Sequence, residues 1–306
     1  MDCSIVPHSV YPDLFTLSTT DFFYPLVDDP YMQGRIACAN VLSDMYSLGI
    51  PRCDNMLMLL GGSTKMGSNE RDIVMKRMIQ GFSQLAEEAG TKVTGGQTVL
   101  NEWPLIGGVA MTTAKEGDFI RPEHLVPGDV LVLTKPIGTQ VAVNLHEWIL
   151  DPKHWKRAEG LMTAEDELQA YNTATESMAR LNITGAKLMQ KYKAHGCTDI
   201  TGFGILGHAS NLAANQTASI DIELHTLPII RNMAKVDKEV KMFKLLEGYS
   251  AETSGGLLVA LGSMEDAVNF CKEIQEIDGK EAWVVGNVVE GKGKARIIDD
   301  VKVVEV

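Results

Sequence analysis

The sequence lacks the features that mark membrane, secreted and metal–thiolate proteins. No apolar run approaches the roughly 20 residues that a membrane-spanning helix needs, and no basic segment followed by an apolar one opens the chain. We therefore expect neither a membrane anchor nor a signal peptide. CxxC pairs and an HExxH motif are absent, so zinc-knuckle, thiol-redox and metalloprotease sites are not supported. The five cysteines are scattered: Cys3, Cys38, Cys53, Cys197 and Cys271. We expect buried free thiols in a cytoplasmic protein.

Basic charge is also in short supply. The 28 lysines and arginines are outnumbered by 40 acidic residues, which gives a formal net charge of −12. This balance argues against nucleic-acid binding and against attraction to an anionic membrane. An anionic substrate stays compatible with it, because divalent cations neutralise acidic side chains locally.

The common phosphate-binding loops are missing as well. The sequence has no GxxxxGK[ST] P-loop and no glycine-rich kinase loop with its lysine and HRD partners. If the chain binds ATP, metal-bridged carboxylates must therefore hold the phosphates.

Three distant stretches place a carboxylate beside small hydroxyl, amide or glycine residues at the edge of an apolar segment. They are Ser18–Asp21, Asn40–Asp44 and Cys197–Gly204. Mg²⁺ prefers oxygen ligands and reaches phosphates through a few carboxylates. Turn and cap chemistry explains each stretch taken alone, whereas the three together favour a phosphate held by metal. Asn40 and Asp44 share a helix face, and a simply solvated face is an equal interpretation there.

The length of 306 residues predicts two domains. A polar stretch with Pro and Gly, residues 115–129, marks the boundary. The predicted domains are residues 1–120 and 126–306. Helices and strands alternate without a clean parallel pattern, so the predicted class is α+β.

In the first half, the pattern predicts a strand over 14–20, a helix over 31–48, a strand over 54–60 and a helix over 69–89 capped by Ser68 or Asn69. A short strand over 91–94 then opens into a loop, Gly95-Gly96-Gln97-Thr98. Paired glycines let backbone N–H groups approach an anion closely, and a plain turn is the alternative.

The run Gly202-x-Gly204-x-x-Gly207 matches the dinucleotide fingerprint GxGxxG. The preceding segment, residues 196–201, is short and polar where a dinucleotide-binding strand should be a buried apolar run. We interpret the glycines as a tight turn. The helix that follows, over 205–214, then points its N-terminus at a phosphate or at a metal bound by Asp199. An NAD-binding dehydrogenase is the alternative.

Several motifs occur in the order found in one family. They are Thr19–Phe23, Gly34–Ala37 with Asn40 and Ser43-Asp44, Gly95–Thr98, Thr134–Gly138, Thr198–His208 and Glu252–Leu258. In these motifs the whole chain resembles selenophosphate synthetase (selenide, water dikinase) of the eukaryotic type. That family has the aminoimidazole ribonucleotide synthetase-like fold.

The resemblance implies two α+β domains, each with a mixed or antiparallel sheet covered by helices. It implies a homodimer built through the N-terminal domains, and conversion of ATP, selenide and water to selenophosphate, AMP and phosphate. By matching motifs, Mg²⁺ is expected at Asp2, Asp44 and Asp199. The nucleotide is expected at Met1, Asp2, Asp21, Asp44, Gly95, Gly96, Gln97 and Thr98.

The sequence departs from the family at its start. A family segment upstream of Asp2, with a selenocysteine or cysteine and a lysine, has no counterpart in the 306 residues. We therefore assign no catalytic nucleophile and expect weak or no synthetase activity. A non-catalytic regulatory or interaction member of the fold is the alternative from a different class.

Overall fold

A computed structural model describes residues 2–306, and Met1 lies outside the described residues. The chain forms two compact units. Unit 1 comprises residues 1–119 and 179–187, and unit 2 comprises residues 120–178 and 188–306. Residues 179–187 differ from the sequence-based division because Asn182 is buried and donates to Ser43, far away in the chain. Within residues 2–306, no helix is both long and apolar enough to cross a membrane.

The strands are β1 Ser4–Pro7, β2 Leu14–Phe23, β3 Asn55–Ser63, β4 Val93–Asn101, β5 Leu105–Lys115, β6 Val130–Leu133, β7 Gly196–Asp199, β8 Ile220–Ile229, β9 Leu257–Leu261, β10 Trp283–Glu290 and β11 Ala295–Glu305. The helices are α1 Pro30–Ser47, α2 Ser68–Glu88, α3 Thr139–Trp148, α4 Pro152–Trp155, α5 Ala164–Ala179, α6 Ile183–Lys191, α7 Gly204–Ala214, α8 Met233–Val240 and α9 Met264–Asp278.

Unit 1 is built on a mixed five-stranded sheet in the order β1-β2-β5-β3-β4. Its pairs are antiparallel except β3 and β4, which run parallel. The helices α1 and α2 pack on each other, and α1 also contacts β2 and β5. Small residues allow this close helix packing: a Cβ on Gly34 would lie 2.1 Å from the carbonyl oxygen of Met78.

Unit 2 is built on a six-stranded sheet in the order β11-β8-β10-β6-β9-β7. Only β11 and β8 run parallel, and the other neighbours are antiparallel. Every residue of β6 and β9 is buried. Such strands are covered on both faces and read as continuous apolar runs in the sequence. The predicted α+β class with mixed sheets is confirmed.

The helix ends show which local signals set where each helix begins. Asp29 accepts a hydrogen bond from Tyr31 N, which places Pro30 at the first position of α1, where its missing N–H costs nothing. Ser263 caps α9 by accepting a hydrogen bond from Asp266 N. The predicted cap of α2 by Ser68 or Asn69 is wrong, because the helix already includes both residues and Gly67 precedes it without a side-chain cap.

Candidate functional site

Two of the predicted site carboxylates of unit 1, Asp21 and Asp44, lie on β2 and α1, which contact each other. Leu17 and Thr19 are buried, so these alternate residues of β2 point toward the helices. The hydroxyl of Thr19 donates a hydrogen bond to Asp44 Oδ2 on α1. Asp21 is two residues further along β2 and therefore lies on the same face. The strand thus holds the Asp44 carboxylate in place through Thr19 and carries a second carboxylate, Asp21, on the same face.

Asp2 adds a third carboxylate to this region. The pKa of Asp21 is raised above its usual value, mainly because burial disfavours the charged form and also because the charge of Asp2 is near. Two carboxylates that repel each other in a partly buried position favour a cation between or beside them. This electrostatic situation fits a divalent ion.

The polar face of α1 is buried, so the simply solvated interpretation is wrong. Asn40 is 7% exposed and Ser43 is fully buried. The side-chain amide of Asn182 donates to Ser43 Oγ at 3.0 Å. A segment 139 residues away along the chain therefore lines the helix face that carries Asp44, within unit 1.

The predicted loop Gly95–Thr98 is wrong in its secondary structure, since these residues form the middle of β4. The strand lies at one edge of the sheet and is exposed along its length between its end residues. A bulge interrupts its pairing with β3 just before Gly95, and bulges often occur next to functional sites. Gly96 has φ +140°, and a Cβ there would lie 1.9 Å from Met58 O. An exposed edge with glycines still offers backbone N–H groups to an anion.

In unit 2, three of the sequence motifs converge at one end of three neighbouring strands, β6, β9 and β7. The strands β6 and β7 both run antiparallel to β9, so both end where β9 begins. Asp199 ends β7 and is 2% exposed. Thr134–Gly138 follows β6, and the loop 250–256 precedes β9. Ile200 N donates to Gly256 O at 2.9 Å, and Glu252 N donates to Thr201 O at 3.0 Å, which ties the loop to the segment after Asp199.

The glycine-rich segment after Asp199 is a turn into α7. Gly204 has φ +70°, and a Cβ there would lie 2.5 Å from Gly248 O. His208 Nε2 accepts a hydrogen bond from Thr201 N at 3.1 Å. The preceding strand, β7, pairs antiparallel with β9, whereas a dinucleotide fingerprint follows a strand of a parallel βαβ unit. This geometry favours the tight-turn interpretation over NAD binding.

The same ends of the strands carry two buried charged groups that lie within the family motifs but were not predicted as site residues. Lys135 is fully buried and donates from Nζ to Ser254 O at 2.7 Å. Glu252 is 4% exposed, and its carboxylate accepts from Gly138 N at 2.6 Å and from Thr139 N at 3.0 Å, at the start of α3. Burial raises the pKa of Glu252 to about 7.

A local signal marks only some of the missed residues. Lys135 directly follows an apolar run, where a charge is unexpected, and Glu252 opens a run of hydroxyl and glycine residues. Thr19 lies in a selected stretch but nothing local shows its role, and Asn182 is an ordinary polar residue in the sequence. Their partners in unit 1 are 25 and 139 residues away, so only tertiary packing reveals them.

The carboxylates fit Mg²⁺ in kind. Among residues 2–306, no three or more His, Cys, Asp or Glu side chains are grouped so that they could hold a metal ion. Mg²⁺ commonly keeps several waters and binds through one or two carboxylates together with substrate phosphates, and the pair Asp2 and Asp21 suits that mode. Asp2 and Asp44 belong to unit 1 and Asp199 to unit 2, and their joint role as ligands stays a prediction.

This two-domain arrangement is that of the AIR synthase related proteins. The family model of the N-terminal domain matches residues 2–114, and that of the C-terminal domain matches residues 126–299. A solved structure described as AaThiL complexed with AMPPCP and TMP aligns with a TM-score of 0.71 at 18% identity, covering 98% of this chain and 88% of that one. This likeness shows the shared fold.

Relatives in sequence identify a particular family among the AIR synthase related proteins. The selenide, water dikinase of Dictyostelium discoideum is 55% identical over 313 residues, covering 100% of this chain and 85% of that protein. Selenide, water dikinase 2 of Homo sapiens is 53% identical over 309 residues, covering 100% of this chain and 68% of that protein. The chain belongs to the selenide, water dikinase family.

Proposed function

We propose that this chain belongs to an enzyme that catalyses the selenophosphate synthetase reaction, in which ATP, selenide and water yield selenophosphate, AMP and phosphate. The identity of 55% and 53% to two selenide, water dikinases over the whole chain carries this proposal. The half-buried carboxylates of unit 1 and the convergent motifs of unit 2 supply the groups that phosphoryl transfer needs. These groups are carboxylates for cations and backbone amides for phosphate.

The nucleotide would lie along β4 and close to Asp44 of α1. Gly95 and Gly96 leave the backbone of an edge strand open to an anion, and Gln97 and Thr98 continue the exposed strand. Asp21 would orient the nucleotide-bound cations. Met1, also proposed at the edge of this site, is outside the described residues.

Asp2, Asp44 and Asp199 would hold Mg²⁺. When bound, Mg²⁺ offsets charge on the β- and γ-phosphates and aligns them for in-line attack. The chain's own contribution is to fix carboxylate oxygens. Thr19 fixes Asp44 by donating its hydroxyl hydrogen, and the end of β7 fixes the backbone of Asp199.

We also propose a homodimer through unit 1. The helices cover the sheet face of Leu17 and Thr19, and the other face carries apolar side chains that stay at least partly exposed. By register these are Phe22, Leu57, Leu59, Val99, Val109 and Met111. A second copy would bury them. Sedimentation equilibrium of the wild type and of Leu59→Asp tests this, and a monomeric wild type would contradict it.

A cytoplasmic location completes the proposal. All five cysteines are free, four of them buried and Cys271 half-buried, which suits a reducing compartment. Imaging of the tagged chain in its own cell type tests the location, and a signal confined to an oxidising compartment would contradict it.

The reaction is tested by phosphorus NMR of the chain with Mg²⁺, ATP and selenide over hours. From these 306 residues we expect a weak selenophosphate signal or none, and a strong signal that grows with AMP and phosphate would contradict that expectation. The same assay on a chain extended upstream by a family-type segment tests the expectation of weak activity. If both chains are silent while binding a partner protein stably, the regulatory alternative is favoured over the enzyme.

A further inference from the structure

Lys135 is a buried charge in unit 2 with a specific backbone partner. The residue is fully buried and its ammonium donates to Ser254 O at 2.7 Å. Lysine is almost never fully buried unless its charge is paired or hydrogen-bonded. Lys135 follows the end of β6 by two residues. Its charge therefore lies at the same end of the sheet's strands as Asp199, which ends β7.

The acceptor of this bond has a strained backbone. Ser254 is 1% exposed and has φ +47°. This is the left-handed backbone conformation, which residues other than glycine rarely adopt. Such conformations persist when surrounding contacts hold them, and they cluster at functional sites. The bond from Lys135 is one contact that holds Ser254 in this conformation.

The two residues after Ser254 transmit this constraint. A Cβ on Gly255 would lie 2.0 Å from Ile200 O, and a Cβ on Gly256 would lie 2.5 Å from Lys135 N. The loop is therefore pressed between the backbones of Lys135 and Ile200 with no room for side chains. Ile200 N also donates to Gly256 O at 2.9 Å. Ile200 directly follows Asp199, so the position of the loop decides the direction in which β7 ends.

We propose that Lys135 is a positioning residue that holds the loop 254–256 against Ile200 and thereby sets the direction of the Asp199 carboxylate. The lysine acts through the backbone and touches no reacting group. The metal-binding consequence rests on the proposed function, whereas the clamping of the loop does not.

The first test measures the clamp itself. Lys135→Met keeps the length of the side chain and removes its charge. Hydrogen–deuterium exchange should then be at least tenfold faster at the amides of Ile200 and Glu252, which bond to Gly256 O and Thr201 O. The Val288 amide, which bonds to Asp129 O elsewhere in the sheet, should be unchanged. Lys238→Met, at an exposed position of α8, is the matched control.

A second variant separates loss of the clamp from loss of folding. Glycine adopts φ +47° without strain, so Ser254→Gly in the Lys135→Met background should restore slow exchange at Ile200. This rescue is specific to a lysine that holds a strained backbone. If Lys135→Met does not fold, the double variant is compared directly with Ser254→Gly alone.

The third test measures the consequence for metal binding. Mn²⁺ affinity by titration calorimetry should fall about tenfold in Lys135→Met, and the KM for metal should rise while kcat at saturating metal changes less than twofold. Unchanged exchange at Ile200 and Glu252 would overturn the clamp, whatever reaction the chain catalyses. Faster exchange with unchanged Mn²⁺ affinity would overturn the link to Asp199. If Asp199→Asn also leaves Mn²⁺ affinity unchanged, the error lies in the proposed metal role of Asp199 and the clamp stands.

Discussion

The carboxyl group of Glu252 predicts a specific dependence of stability on pH. The group lies at the start of α3 and accepts hydrogen bonds from Gly138 N, Thr139 N and Thr139 Oγ1. Its pKa is nonetheless raised from 4.5 to about 7, because the loss of solvation on full burial outweighs these donors. The folded chain therefore binds this proton more tightly than the unfolded chain does.

The sign and size of the effect follow from this difference in pKa. Between pH 4.5 and 7 the folded state carries more protons on Glu252 than the unfolded state, so rising pH lowers the free energy of unfolding. The contribution is fully present below pH 4.5 and is lost as pH rises through 7. At about 1.4 kcal/mol per pKa unit, the change from 4.5 to about 7 amounts to about 3 kcal/mol.

Urea unfolding of the wild type and of Glu252→Gln between pH 4 and 8 measures this. In a Trp103→Phe background, the remaining tryptophans, Trp148, Trp155 and Trp283, all report on unit 2. Since glutamine does not titrate, the unfolding free energy of the wild type minus that of the variant should fall by about 3 kcal/mol over this range. Groups common to both proteins cancel in the difference.

Glu247→Gln, at an exposed position in the same unit, is the matched control and should show no such trend. A difference that stays flat between pH 4 and 8 would refute the raised pKa. A difference that grows with pH would mean that the ionised carboxylate, with its three donors, is the stabilising form.

Two further predictions concern unit 1. Thr19→Val removes the donor to Asp44 and should weaken Mn²⁺ binding about tenfold in calorimetry, while Thr20→Val, on the exposed face of β2, should not; equal affinities would contradict a positioning role for Thr19. Gly96→Ala would place a Cβ 1.9 Å from a β3 carbonyl oxygen, whereas a Cβ on Gly95 has its nearest neighbour at 3.5 Å. Gly96→Ala should therefore cost about 1–3 kcal/mol in thermal unfolding and weaken ATP binding, and Gly95→Ala should cost less; the reverse order would contradict the strand geometry of β4.

Local signals in the sequence were enough to predict the bounds of α1. The helix predicted over 31–48 is α1, Pro30–Ser47, since Asp29 and Pro30 mark its start and Gly49 follows its end. Caps, glycine stops and apolar stripes act within a few residues, so the sequence alone contains them. The ordered motifs likewise predicted the family, which the relatives confirm.

Tertiary structure alone decided the state of Gly95–Thr98. These residues have low strand propensity and were predicted as a loop, but pairing with β3 makes them the edge strand β4. The local preference of such residues for any one conformation is weak, and backbone pairing with β3, whose partner residues lie 38 positions earlier, overrides it.

The contacts that fix the site were also decided only by packing. Thr19 meets Asp44 because β2 lies against α1, and Lys135 meets Ser254 across 119 residues of sequence. Charge and hydroxyl residues show in a sequence that polar chemistry is present. Which of them meet depends on sheet order and helix docking, because residues so far apart share no local signal and come together only when their strands and helices pack.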